Sequence, residues 1–228
     1  MAALSKTRLQ AIVAAALVVA AALGYWGYGA YKKNELRKTV AALLTDAGTR
    51  LRAALEVEAG SAPIDRPEAA RQSGEHADAM ERRLARLREL DVERDLVLAD
   101  DADSHLVTAR EIFRRQAAGH SAYSMLSESV GALRDHMRAD NRTGEWIGQA
   151  VKAKERAERD FRDYQTAVAV YAKLLGSLPV SQMRIAPRVE PAALVDEALI
   201  ARARDRALEA AKQSAKEMDA VRKLLGPR

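Results

Sequence analysis

Two sets of side chains have types that could support metal or acid–base chemistry. Asp101, Asp103 and His105, with Glu111 downstream, carry the oxygen and nitrogen atoms that bind divalent cations. On a helix, however, residues 101, 103 and 105 span more than one turn, so their side chains do not converge on one face. We therefore predict a solvated acidic face at this position, with no bound metal.

The second set consists of the remaining histidines, His76, His120 and His136. Each of the four histidines stands singly in polar surroundings, so a ligand or acid–base role would require partners brought together by the tertiary fold. A Glu-x-x-His pair, from which helical bundles build metal centres, does not occur in the sequence. We expect surface histidines and neither a metal nor a cofactor.

Other catalytic motifs are also missing from the sequence. The chain contains no cysteine, which excludes disulfides, thiolate catalysis, zinc fingers and iron–sulfur ligation. Neither the glycine-rich phosphate-binding patterns nor the Gly-x-Ser-x-Gly nucleophile elbow is present. We predict no catalytic residue and a protein that is not an enzyme.

The charge balance argues against a nucleic-acid partner. There are 37 lysines and arginines against 32 aspartates and glutamates, a formal net charge of +5. Basic and acidic residues are interleaved along the chain, as is typical of solvated helix faces. Such a mixed surface is a poor electrostatic match for a polyanion.

The longest apolar run covers residues 9–31 and contains no charged residue. At ~1.5 Å per residue, a helix of this length spans a bilayer core of roughly 30 Å. We predict a transmembrane anchor at 9–31, in contact with lipid, after a short basic tail at 1–8. Residues of the kinds that favour membrane interfaces close the run: Tyr25, Trp26, Tyr28, Tyr31, Lys32 and Lys33.

A cleaved secretory signal is the alternative for this segment, because a basic start before an apolar stretch is also its design. Gly27-Tyr28-Gly29 could serve as its cleavage site. The run exceeds the ~7–15 apolar residues usual for a signal, which favours the anchor.

Two rules of membrane insertion make opposite predictions for the orientation of the anchor. Positive charges are more numerous after the run than before it, which alone would keep the C-terminal side in the cytoplasm. Long domains, however, translocate largely regardless of charge. We predict a single-pass protein of the bacterial inner membrane whose domain at 32–228 faces the periplasm.

The domain at 32–228 is rich in alanine, leucine, arginine and glutamate, which favour helix. We predict an all-α fold, in which the transmembrane helix precedes an elongated antiparallel bundle with coiled-coil-like packing. The turn sequence Asp65-Arg66-Pro67-Glu68 predicts a capped helix start. The predicted helices cover about residues 32–58, 66–90, 92–138, 144–178 and 191–225.

Apolar seams indicate how these helices pack. Phe161, Tyr164, Val168, Tyr171, Leu175 and Leu178 recur at alternating steps of three and four, the spacing of a coiled-coil face. A shorter seam runs from Tyr123 to Met137. The facing helix could belong to the same chain or to a partner, so a homo-oligomer stays open.

The proline-rich segment from Pro179 to Glu190 is predicted to be a long connection. Its apolar residues could dock onto the bundle or onto another protein. We predict partner contacts at Met183 and Ile185, with Trp146 as an aromatic anchor, and burial in the bundle as the alternative for each.

These observations favour an anchored accessory or scaffold subunit that binds another membrane or periplasmic protein. The alternative is an anchored sensory or solute-binding bundle. In being helical and anchored by an N-terminal span, the chain resembles the ligand-binding part of bacterial chemoreceptors and sensor kinases. Those families return through the membrane by a second helix, and no second apolar run exists here, so a sensor would need a separate output partner.

Overall fold

The computed structural model describes residues 6–138 and 144–224, with side chains from Leu17 to Lys223 within those ranges. These residues form helices and no β-strand, which confirms the all-α prediction. The elements are α1 (Lys6–Ala59), α2 (Arg66–Arg88), α3 (Leu96–Arg138), α4 (Gly144–Ile185) and α5 (Glu197–Leu224), with 3-10 turns at Val92–Asp95, Ala186–Arg188 and Pro191–Ala193.

The first three helices run alternately up and down. Arg37 on α1 donates a hydrogen bond of 3.0 Å to Asp95, immediately before α3. Further along both helices, Glu58 lies 3.5 Å from His120. Residue numbers rise along both helices from the first contact to the second, so α1 and α3 are parallel, and α2 returns between them.

The last two helices continue the alternation. Gln182 bonds to the backbone of Val195, and Gln165 bonds to the backbone of Ala211. Residue numbers fall along α4 as they rise along α5, so these helices are antiparallel. The bundle is therefore an up-down-up-down-up arrangement.

The bundle has two halves of different thickness. The turn between α1 and α2 lies beside His120, and α3 continues from there to Arg138. Beyond this level α3, α4 and α5 pack on one another, as the 4.0 Å ion pair of Arg134 with Glu217 shows. We call the part of the bundle on the Asp95 side of this level the five-helix half, and the part on the Arg138 side the three-helix half.

The predicted seams form the core within this one chain. Five of the six positions of the α4 seam are buried, and Phe161 is partly buried against the core. On α1 the buried side chains include those of Val40, Leu44, Leu51 and Leu55. At about 25 cal/mol per Å² of apolar surface, this burial supplies the main driving force for folding.

Helix α2 begins as the sequence predicts. The Asp65 side chain accepts a hydrogen bond of 3.2 Å from the Glu68 N–H, and Pro67 occupies the first turn. The helix ends at Arg88, slightly before the predicted residue 90, because a 3-10 turn intervenes before α3.

Helix α4 continues through Pro179 to Ile185, although the sequence predicts its end at residue 178. Pro179 has no N–H for the carbonyl of Leu175, so the helix loses one hydrogen bond there. Contacts to the rest of the bundle hold the final turns in place. The Gln182 amide donates to the Val195 carbonyl at 3.0 Å and accepts from the Val195 N–H at 2.6 Å.

The connection before α5 lies against α1, and for this reason α5 begins at Glu197 rather than at the predicted residue 191. Ala193 is 1% exposed and sits directly over Gly48. The Arg52 guanidinium donates to the carbonyls of Ala192 and Leu194. Carbonyl groups that would bond to N–H groups within a helix therefore bond to the Arg52 side chain of α1 instead.

Among the described residues, no helix holds a stretch both long and apolar enough to cross a membrane. The predicted anchor at 9–31 starts in the part of α1, up to residue 16, whose side chains lie outside the described residues. Residues 1–5 of the predicted basic tail and residue 225 at the predicted end of the last helix lie outside them as well.

Candidate functional site

The first candidate surface is the N-terminal part of α1, residues 17–31, whose side chains are largely exposed. Its large side chains are 57–81% exposed, with Trp26 at 81%. Burial on α1 begins only at Leu36. Apolar and aromatic side chains are therefore exposed along successive turns of this part of α1. The exposed side chains are those of Leu17, Val18, Val19, Leu23, Tyr25, Trp26, Tyr28 and Tyr31.

The charged end of this segment is fixed to the bundle. The Tyr31 hydroxyl donates to Glu35 at 2.9 Å, and Lys32 pairs with Glu35 at 3.3 Å. Lys33 lies 3.5 Å from Asp95 at the start of α3. The aromatic and basic residues singled out in the sequence therefore occupy consecutive turns of α1 next to the end of the five-helix half.

The predicted partner contacts separate in the structure. Met183 is 65% exposed, and Val180, one turn earlier on α4, is 52% exposed. Ile185 is fully buried, so it takes the alternative of burial in the bundle. Trp146 is half-buried and stacks on His136 with ring centroids 5.0 Å apart. We call Val180 and Met183 the α4 patch.

An open groove runs between α1 and the connection before α5. Its volume is about 870 Å³. Small side chains of α1 form one wall, and the segment from Pro187 to Pro191 forms the other. The groove is wide and shallow, which suits a protein segment better than an enclosed small molecule.

A buried polar cluster lies where the two halves meet. Glu58 and His120 are each 4% exposed. The Arg66 Nη1 donates to His120 Nδ1 at 2.9 Å, so Nδ1 is the acceptor and the proton resides on Nε2. This Nε2 lies 3.5 Å from a Glu58 carboxylate oxygen. Both nitrogens of the imidazole therefore lie next to protein groups.

The acid–base properties of the cluster follow from its burial. Burial raises the pKa of Glu58, an effect opposed by Arg66, Gln116 and Arg206. Burial, and then the positive charge of Arg66, lowers the pKa of His120 to about 4. At neutral pH the imidazole is neutral, which suits its role as acceptor from Arg66.

Aromatic side chains enclose the cluster. The Arg66 guanidinium lies 4.8 Å from the Tyr123 ring centroid, a cation–π contact. Tyr123 meets Tyr164 edge-on, with centroids 5.3 Å apart. The hydroxyl of Tyr171 is buried and has no hydrogen-bond partner among the described residues. The cavity there is about 20 Å³, room for roughly one water molecule.

Burial of two histidines contradicts the prediction of surface histidines. His105 is 1% exposed and His120 is 4% exposed. His105 Nδ1 lies 3.1 Å from the Ser181 hydroxyl on α4. Burial alone lowers the pKa of His105 to about 4. The sequence did not predict the burial of either histidine, because the polar residues beside each one along the chain lie on other faces of the helix.

The acidic residues near His105 contact arginines rather than one another. Asp101 pairs with Arg188, and Asp103 lies 3.8 Å from Arg88. Glu111 lies 3.5 Å from Arg110. In the part of the chain that the structure describes, no three potential metal ligands converge.

A second cavity lies between α1, α2 and α3, next to the cluster. Its volume is about 110 Å³, and its polar walls include Ser73, His76 and Gln116. The Ser73 hydroxyl donates to Gln116 at 3.1 Å. Ligand pockets are typically about 300–1,000 Å³, so this space suits only a very small solute.

Neither a protein-family model, nor a curated protein, nor a solved structure shows detectable similarity to this chain.

Proposed function

We propose that this chain is a single-pass membrane-anchored protein whose helical bundle acts as an accessory or scaffold subunit for another protein. The observation that carries the proposal is the exposed apolar part of α1, which continues without a break into the helical bundle. A bilayer around the proposed anchor would cover the exposed apolar side chains from Leu17 to Tyr31, which otherwise lie in water at a cost of about 25 cal/mol per Å².

The partner surface is the α4 patch. Val180 and Met183 form an exposed apolar pair on a rigid helix, one turn apart and on one face. Methionine suits such a surface because its flexible thioether adapts to different partners. The open groove beside Pro187 to Pro191 extends the same end of the bundle toward a partner segment.

Crosslinking in native membranes tests the scaffold function. A photoreactive amino acid at position 183 of the full-length chain should trap one recurring foreign protein, identified by mass spectrometry. Position 125 is the matched control, because Met125 is also an exposed methionine, at 57% exposure, but lies in the three-helix half. Adducts of equal yield and identity at the two positions would contradict a partner surface at α4.

Serine substitutions separate an interface from the core. Met183→Ser should reduce capture of the partner and change the stability of the bundle by less than about 0.5 kcal/mol. Ile185→Ser should destabilise the bundle by about 2–5 kcal/mol, because it removes a fully buried side chain. Thermal unfolding of both variants measures the difference.

The domain is proposed to face the periplasm of a bacterial cell. The chain has no cysteine, so Ser61→Cys on the exposed turn between α1 and α2 provides a unique thiol. A membrane-impermeant maleimide should label it in intact cells with a permeable outer membrane. Labelling only after lysis would reverse the orientation.

The alternative function, an anchored sensory or solute-binding bundle, would use the cavity of about 110 Å³ between α1, α2 and α3. A thermal-shift screen with small solutes distinguishes it from the scaffold. A reproducible rise in melting temperature with one solute class would favour the sensor.

A further inference from the structure

The first turn of α3 carries two consecutive apolar side chains that are largely exposed. Leu96 is 57% exposed and Val97 is 61% exposed. The next two residues, Leu98 and Ala99, are buried. The first turn of α3 therefore presents an apolar face outward at the end of the five-helix half.

The position of this turn relative to the proposed anchor follows from three contacts. Asp95 lies 3.5 Å from Lys33 and 2.9 Å from Arg37 of α1. Lys33 and Arg37 follow Tyr31, the last residue of the anchor, by two and six residues. At ~1.5 Å per residue, Leu96 thus lies beside a level about 3–9 Å beyond the anchor.

The headgroup layer of a bilayer is about 5–8 Å deep on each side of the hydrocarbon core. Most of the range of about 3–9 Å derived for Leu96 falls within a layer of that depth. Arg94, which precedes them, donates a hydrogen bond to Asp91, and this bond is the main cause of its raised pKa.

The direction of α3 also points these side chains toward the bilayer. Helix α3 is parallel to α1, so its N-terminus faces the anchor. Each Cα–Cβ bond of an α-helix tilts toward the helix N-terminus. The side chains of Leu96 and Val97 accordingly lean toward the membrane side of the bundle.

Basic residues accompany the apolar pair. Lys32, Lys38 and Arg94 line an open groove of about 400 Å³ between α1 and the turn. Lysine and arginine on long flexible stems are suited to lipid phosphates while their aliphatic parts stay in apolar surroundings. Glu35 and Asp91 also line this groove, so the apolar pair supplies the main contact.

From this placement we infer that Leu96 and Val97 form a second membrane contact, inserted into the headgroup layer beside the anchor. The inference rests on the proposed anchor at 9–31. The contact would fix the tilt and rotation of the bundle on the bilayer, because two separate points of attachment define an orientation that a single helix leaves free.

Site-directed fluorescence tests the contact in the full-length protein. The chain contains no cysteine, so Leu23→Cys, Val97→Cys and Met125→Cys each give one thiol for an environment-sensitive fluorophore. All three native side chains are exposed. The labelled proteins are reconstituted into phospholipid vesicles with and without nitroxide-labelled lipid.

The label at 23 reports the anchor, the label at 97 reports the second contact, and the label at 125 is the control in the three-helix half. We expect a blue-shifted emission with strong quenching by nitroxide lipid at 23 and 97, and neither effect at 125. Leu96→Cys provides an independent variant with the same expected result.

Three results would overturn the inference. Quenching at 23 without quenching at 97 leaves the anchor standing and removes the second contact. A blue shift at 97 without quenching means that a protein surface covers the turn. Absence of quenching at both positions means that the anchor itself is wrong, and the second contact fails with it.

Discussion

At the scale of single residues, the buried ion pair and its neighbours specify how the helices meet. Glu58, Arg66 and His120 come from three helices, and their side chains bond to one another within a few ångströms. Removing one member would leave a buried charge or donor unpaired, which typically destabilises the folded state by about 3–5 kcal/mol. The cluster therefore fixes the register of α1, α2 and α3.

Gly48 shows the same specificity in backbone packing. A Cβ atom added to Gly48 would lie 2.7 Å from the carbonyl carbon of Ala193, and backbone on both sides leaves no flexible group to move. We expect Gly48→Ala to destabilise the bundle by about 1–3 kcal/mol, measured by chemical unfolding.

The control for this substitution is Gly176→Ala on α4, where an added Cβ meets nothing within 4 Å. The control should be neutral or stabilising by about 0.5–1 kcal/mol, because alanine favours helix. Equal effects of the two substitutions would contradict the close approach of the connection to α1.

Burial of His105 predicts a loss of stability in mild acid. The pKa is about 4 in the folded chain and 6.5 in the unfolded chain. The unfolded state therefore binds more protons as the pH falls from 6.5 to 4. At about 1.4 kcal/mol per pKa unit, the loss approaches about 3 kcal/mol for this residue.

The measurement is the unfolding free energy of the wild type and of His105→Gln between pH 8 and pH 4. The variant should lose stability less steeply below pH 6.5, because it has no imidazole to protonate. Parallel pH profiles for the two proteins would contradict the burial of a neutral His105.

At the scale of elements, the end of α4 shows how tertiary contacts override local propensity. Pro179 interrupts the hydrogen bonding of the helix, yet Ser181, Gln182 and Ile185 beyond it are buried against neighbouring elements. Their contacts to His105 and Val195 hold the final turns in helical geometry.

Replacing Pro179 should therefore stabilise the protein. Pro179→Ala restores a backbone N–H for the Leu175 carbonyl and removes a residue that costs roughly 3 kcal/mol within a helix. We expect a gain of about 1–3 kcal/mol in the free energy of unfolding. Pro187→Ala, in the 3-10 turn after α4, is the control without such a gain. A fall in stability for Pro179→Ala would contradict an α4 that continues to Ile185.

Much of this helix arrangement could be predicted from the sequence, and particular residues show where the prediction failed. The alternating steps of three and four that end at Leu178 continue to residues 182 and 185, so the periodicity itself places Ile185 in the core. Pro179 obscured that signal. The burial of His105 and His120 depends on neighbours supplied by distant helices, which periodicity does not reveal.

At the scale of the whole molecule, the candidate functional surfaces lie in one half of the bundle. The five-helix half, which adjoins the exposed part of α1, carries the α4 patch and the apolar turn at Leu96 and Val97. The three-helix half extends away from it. A proposed anchor, a proposed lipid contact and a proposed partner surface thus lie at one end of the bundle, as expected for a subunit that works close to a membrane.

Alkaline extraction of native membranes that contain the full-length chain tests the proposed membrane anchor most directly. A protein anchored through residues 9–31 should remain in the membrane pellet at high pH. Val19→Lys should weaken this retention, because a lysine at the centre of a spanning helix costs about 2.5–3.5 kcal/mol. Met125→Lys in the three-helix half should leave it unchanged. Complete release of the wild-type chain into the supernatant would contradict the membrane anchor.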